Sequence, residues 1–194
     1  MKLVQWFWGT LVTVACTTCA QAQTPDAGLY ITANDFQQQK ITYAVNCSNG
    51  KDKLKVNSLF DASTGYVVVN GEKHAFNKKQ VYGYRTCKNN NFRLYNNTPY
   101  QVINTTGFFI YYRSIQTEAA KGKGLVKADA YFFSTQADST IQPLTVDNLK
   151  KAYPGNHEFQ YALDANFRSD KDLTAWDTYQ KTYKVQYLYS LSLK

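Results

Sequence analysis

The chain has 194 residues, 44% hydrophobic and 19% charged, which suits one folded domain and excludes a disordered or low-complexity polymer. Its formal net charge of +8 is accompanied by only two histidines, so histidine-based metal and acid–base chemistry has little to draw on. Its 16 tyrosines are the compositional excess, and every one lies beyond residue 22.

The first 22 residues read as a secretory signal peptide. Lys2 supplies the positive start, residues 3–15 the apolar centre, and Ala20, Gln21 and Ala22 a small-residue cleavage site. That apolar run is shorter than the ~20 residues a spanning helix needs, and no later run reaches that length, so no transmembrane segment is expected in the mature chain. A lipoprotein reading at Cys16 is second to this, because Thr13 stands where a lipobox carries an aliphatic residue. Residues 23–194 are then one secreted domain, periplasmic or otherwise extracytoplasmic. Removing the leader takes away Cys16 and Cys19. The remaining Cys47 and Cys87 are expected to form a disulfide, closing a loop of about 40 residues worth roughly 4 kcal/mol.

Beyond a polar lead-in over residues 23–28, an edge strand is expected to begin at Leu29. Thr32 and Asp35 form a capping box for one turn of helix. Ile41, Tyr43 and Val45 alternate with Thr42 and Ala44 as a strand. Leu54 and Val56 alternate with Lys51, Lys53 and Lys55 as a basic hairpin arm. Three valines at 67–69, Asn70-Gly71 and residues 72–76 read as a hairpin with a type I′ turn.

Residues 81–113 organise the rest. Residues 108–112 are aromatic or Ile throughout, which predicts a central strand covered on both faces. The flanking runs alternate, with Arg93 between Phe92 and Leu94 and Gln101 between Tyr100 and Val102, the pattern of strands with one solvated face. Asn-rich turns separate them. Residues 116–124 read as a loose connection able to serve as a binding loop, and residues 126–134 as the last strand. Thr145 caps a first helix with Leu144 and Leu149 spaced as a hydrophobic staple; Asn156 caps a second, carrying Phe159, Leu163 and Phe167 on one face. Ser169 and Asp172 start a third, drawn through to Tyr187, although the residues from Tyr183 to Leu193 also alternate as a strand. The expected fold class is α+β: an antiparallel meander sheet or partly open small barrel over roughly residues 29–134, followed by two or three C-terminal helices over roughly 145–187.

Catalytic signatures are missing from the sequence. His74 follows the Asn-Gly turn and is expected to face solvent, His157 opens a helix beside Glu158, and neither belongs to HExxH. There is no GxSxG, phosphate loop or dinucleotide fingerprint, so no catalytic, metal or cofactor residue is assigned. Charge does point somewhere. Between Lys40 and Arg93 ten basic residues face three acidic ones, and Lys51, Lys53, Lys55, Lys73, Lys78, Lys79, Arg85, Lys88 and Arg93 form a candidate surface for a polyanion or partner. The reading is a non-catalytic secreted or envelope-associated binding module, basic and tyrosine-rich, whose partner is an acidic glycan, an envelope component or a protein rather than a specific nucleic acid. The alternatives are a small carboxylate-dependent hydrolase such as a glycosidase and a glycan-binding module using exposed aromatic rings.

Overall fold

The structure, a computed structural model, describes residues 27–56, 63–118 and 124–194. The leader and the lipobox lie outside the described residues. The chain runs through β1 (Ala27–Tyr30), α1 (Ala33–Gln37) and β2 (Thr42–Val45), then β3 (Lys53–Val56), β4 (Thr64–Val69) and β5 (Glu72–Asn77). A 3-10 turn (Lys78–Gln80) leads into β6 (Gly83–Arg85), β7 (Asn91–Tyr95), β8 (Thr98–Asn104), β9 (Phe109–Glu118), β10 (Leu125–Ser134) and β11 (Gln142–Pro143). The last part holds α2 (Val146–Ala152), α3 (His157–Asn166), a 3-10 turn (Asp170–Thr174), β12 (Trp176–Asp177), β13 (Thr182–Tyr183) and α4 (Lys184–Leu191). The class is α+β, with an open antiparallel sheet followed by helices.

Eight strands form the main sheet in the order β11-β10-β9-β8-β7-β6-β1-β2. From β6 to β11 the order follows the chain, a meander whose tight turns are made possible by Asn89, Asn96 and Asn97 at positive φ. The register fixes two faces. Leu29, Tyr84, Phe92, Gln101 and Tyr112 lie in one row across β1, β6, β7, β8 and β9, whereas Tyr30, Gly83, Arg93 and Tyr100 lie on the opposite side.

The first face is covered by two different layers. Over the half at β9 and β10, helices bury Phe108, Ile110 and Phe133 against Leu149, Phe159, Leu163, Phe167, Leu173 and Val185. Over the other half, the small sheet β3-β4-β5 packs Leu54, Val56, Val67, Val69 and Phe76 on Ala27, Leu29, Tyr84 and Leu94. The second face buries Tyr30, Phe109 and Tyr111 beneath Phe36 of α1 and Ala137 and Ile141 of the loop before β11. The strand around residues 108–111 is therefore enclosed on both sides, as its unbroken apolar run requires.

The N-caps form as expected. Thr32, Thr145 and Asn156 accept from the backbone N–H groups of Asp35, Asn148 and Phe159. Asn70 and Gly71 both take positive φ, 53° and 84°, in the turn joining β4 to β5. Cys47 and Cys87 form the disulfide, with Cα atoms 5.7 Å apart. They lie two residues beyond Val45 and Arg85, the partners of Ala27 and Gly28, so the bridge spans the end at which β1 enters the sheet.

Three expectations are corrected, and one open alternative, the tail from Tyr183 to Leu193, is decided. β1 is an interior strand between β2 and β6, buried at all four positions, and β2 takes the edge instead. Residues 116–118 continue β9 and pair with Lys127, Val126 and Leu125, so the loose connection shrinks, and residues 119–123 lie outside the described residues. The third helix does not run from Ser169 to Tyr187. Asp177 accepts from the backbone N–H of Tyr179 and Gln180, and Lys181 takes a φ of 52°, which turns the chain into the β12-β13 hairpin with Trp176 edge-on to Tyr183. The alternating tail is helical, because Val185 packs into the helical core and Gln186 donates to the Phe108 carbonyl at 2.6 Å.

Candidate functional site

The Asn70-Gly71 turn dictates which side chains share the outer face of the small sheet. It sets Val68 opposite Lys73 and Tyr66 opposite Ala75, and on the other edge Lys53 pairs with Val68 and Lys55 with Tyr66. Directly opposed residues point to the same face. Lys53, Lys55 and Lys73 therefore surround Tyr66 on the side away from the core, and the Lys73 ammonium sits 4.4 Å from the centroid of the Tyr66 ring. All three lysines are exposed. Leu54, Val67 and Phe76 occupy the inward positions, which leaves the three lysines on the face turned away from the main sheet. Lys51 is exposed in the turn before β3, and Lys88 in the turn after β6.

The remaining cations serve different ends. Lys79 is exposed, but Lys78 is 2% exposed and donates its ammonium to the Asn97 carbonyl at 3.1 Å. Arg85 is buried on the second face, hydrogen-bonded to Gln39 and to Asn91, which also accepts from the Tyr30 hydroxyl. Arg93, 4% exposed, donates to the Tyr111 hydroxyl at 3.1 Å and to Ser134 Oγ at 3.3 Å. Its guanidinium lies over Tyr82, Tyr95 and Tyr111 at 5.5, 5.4 and 5.9 Å. No salt bridge joins it to a carboxylate among the described residues. Lys78, Arg85 and Arg93 are thus structural, and the expectation that they belong to an exposed surface is corrected. Arg93 sits on a face roofed by α1 and the loop before β11, not on a solvated one.

Arg93 also borders an open depression of about 420 Å³ with Lys79, Tyr82, Tyr95, Asn97 and Asp138. Burial raises the Tyr82 phenol strongly, with Tyr111 and Asp138 adding and Arg93 opposing, so it stays protonated and donates to the Ala137 carbonyl at 2.8 Å. Two neighbouring depressions, one over Phe36, Asn91 and Asn104 and one over Asn34, Gln136 and Asp138, complete this side. The only acid lining the three is Asp138, so none holds the acid pair a glycosidase requires.

His74 is half-buried rather than solvated, with its ring 4.8 Å from that of Tyr43 and Nε2 3.8 Å from Glu72. Among the described residues no group of three or more His, Cys, Asp or Glu side chains converges, and no helix is long and apolar enough to cross a membrane. Sequence reasoning overlooked Tyr66, although counting back from the Asn-Gly turn would have set it opposite Ala75 and beside the lysines. The chain matches no protein-family model, no curated protein and no solved structure.

Proposed function

We propose that this protein is an exported, non-catalytic module that binds an acidic polysaccharide of the cell envelope or its surroundings through the outer face of β3-β4-β5. The observation that carries this reading is the gathering of Lys53, Lys55 and Lys73 around Tyr66. A ring with cations on its flanks offers an apolar seat for a sugar face and charge for its carboxylates or sulfates. The Cys47–Cys87 bridge supports export, since such bonds persist in oxidising compartments. Heparin serves as the probe polyanion. The chain is expected to be retained, and the Lys53→Glu, Lys55→Glu, Lys73→Glu triple variant to elute at much lower salt with its thermal unfolding unchanged. Equal retention of the two proteins would refute the assignment of this face.

A second reading, neutral-glycan binding, draws on the β12-β13 hairpin, where Trp176 and Tyr179 are 51% and 88% exposed beside Asp177. Loss of retention on a neutral polysaccharide after Trp176→Ala and Tyr179→Ala, with heparin binding intact, would favour it.

A further inference from the structure

Among the described residues, β10 has one edge that is paired only in part. β9 pairs with it along its whole course on one side. On the other, β11 meets it only at Phe132 and Phe133, and the Leu144 N–H takes the Tyr131 carbonyl at 3.0 Å. From Leu125 to Ala130 no described strand lies against that side. Two of the side chains there, Leu125 and Val126, are unusual for an edge left to water. Leu125 and Val126 are 66% and 43% exposed, and Lys127 and Asp129 are exposed on either side of the small Ala128.

We propose that β10 pairs with β10 of a second copy of this chain, antiparallel, about a two-fold axis at Ala128. Each residue then faces the one equally far on the other side of Ala128: Lys127 meets the partner's Asp129, Asp129 the partner's Lys127, Val126 the partner's Ala130 and Ala130 the partner's Val126. An isologous contact must match a surface to itself, and this register does so with two opposite-charge pairs and two apolar ones. Moving the axis to Lys127 or Asp129 sets like charges against each other. The register also fits the space available. The paired span, Val126 to Ala130, ends one residue short of Tyr131, whose carbonyl is taken by the Leu144 N–H.

Edge lysines are a common device for preventing strand pairing. If Lys127 played that part, removing its charge would promote association. In the proposed dimer it has the opposite effect, which makes charge exchange decisive. Sedimentation equilibrium of the mature chain is expected to show a monomer–dimer equilibrium. Lys127→Asp should weaken the dimer about tenfold or more by opposing four carboxylates across the axis, and adding Asp129→Lys should restore much of it. Asp129 also accepts from the Tyr112 hydroxyl at 2.8 Å, so a second, charge-independent variant is needed. Opposed residues in an antiparallel pair have Cα atoms roughly 4.5–5.5 Å apart, within disulfide reach. Ala128→Cys should therefore oxidise rapidly to a covalent dimer, whereas Ser139→Cys should not. A chain that stays monomeric up to about 1 mM, tighter association of Lys127→Asp, or equal cross-linking of the two cysteine variants would each overturn the proposal.

Discussion

The two layers on the first face of the main sheet hold on by different means. The helical layer relies on bulk, with Phe108, Phe133, Phe159, Leu149, Leu163 and Leu173 fully buried in one cluster. Under the small sheet, the fully buried members are Ala27, Leu29 and Val67, a thinner set. Specific ties compensate there. The disulfide joins the chain just after β2 to the chain just after β6, closing the base of the segment that carries β3–β5, and the Asp52 carboxylate accepts from the Asn46 N–H at 3.1 Å and from the Asn70 N–H at 2.9 Å, holding the hairpin turn to the chain that follows β2. A layer fixed at its margins needs only one of its faces for packing. That leaves the other to carry lysines, which is why the candidate surface lies on the small sheet and not on the helices.

Breaking the covalent tie has the largest expected effect. Cys47→Ser with Cys87→Ser opens a loop of separation 40 and should cost roughly 4 kcal/mol in denaturant unfolding. Hydrogen exchange should rise more in β3–β5 than in α3. A uniform rise would mean that the two layers are one cooperative unit. In the helical layer the comparable lesion is a cavity. Leu163→Ala, at a fully buried site, should cost about 3 kcal/mol and leave heparin retention unchanged.

Smaller effects arise from ionisation beneath the small sheet. Tyr84 stacks on Phe92 with ring centroids 4.9 Å apart, and burial pushes its phenol up to about 12. A raised phenol stabilises the fold fully below its unfolded value near 10 and loses that contribution as pH rises towards 12. Roughly 2–3 kcal/mol should disappear across that window. Tyr84→Phe should abolish the corresponding step in tyrosinate absorbance and lessen the alkaline loss of stability, leaving the part that Tyr82 and Tyr153 contribute.

Local patterns in the sequence carried much of this architecture because they depend on neighbours alone. The caps at Thr32, Thr145 and Asn156, the Asn70-Gly71 turn and the doubly buried run at residues 108–112 are all of that kind. The errors came where distant segments decide. Arg93 alternates with Phe92 and Leu94 as a solvated residue would, and only the arrival of α1 and the loop before β11 buries it among tyrosines. The capping pair Ser169 and Asp172 suited a helix drawn through to Tyr187, but Asp177 and Lys181 turn the backbone first. Of the candidate surface, Lys53, Lys55 and Lys73 could have been grouped by counting from the hairpin turn. The inward fate of Lys78, Arg85 and Arg93 could not, since it is set by Asn97 for Lys78, by Gln39 for Arg85 and by α1 with the loop before β11 for Arg93.

The gentlest test of the contrast is acid. Asp52 is held below the usual carboxylate range, chiefly by the Asn46 N–H, with the Asn70 N–H and the Asn49 side chain assisting against some desolvation. A depressed carboxylate contributes fully above its unfolded value near 3.9 and loses that contribution as pH falls through the folded one. Lowering the pH through that range should therefore loosen the small sheet before the helical layer, whose buried cluster contains no carboxylate. Amide exchange at Asn46 and Asn70 should accelerate while that of Leu163 and Phe167 holds. Asp52→Asn keeps an acceptor at the same place and removes the charge, so it should bring the same acceleration at neutral pH and erase its pH dependence. If Asn46 and Leu163 instead lost protection together, the small sheet would owe its place to packing, and the marginal ties would be incidental to it.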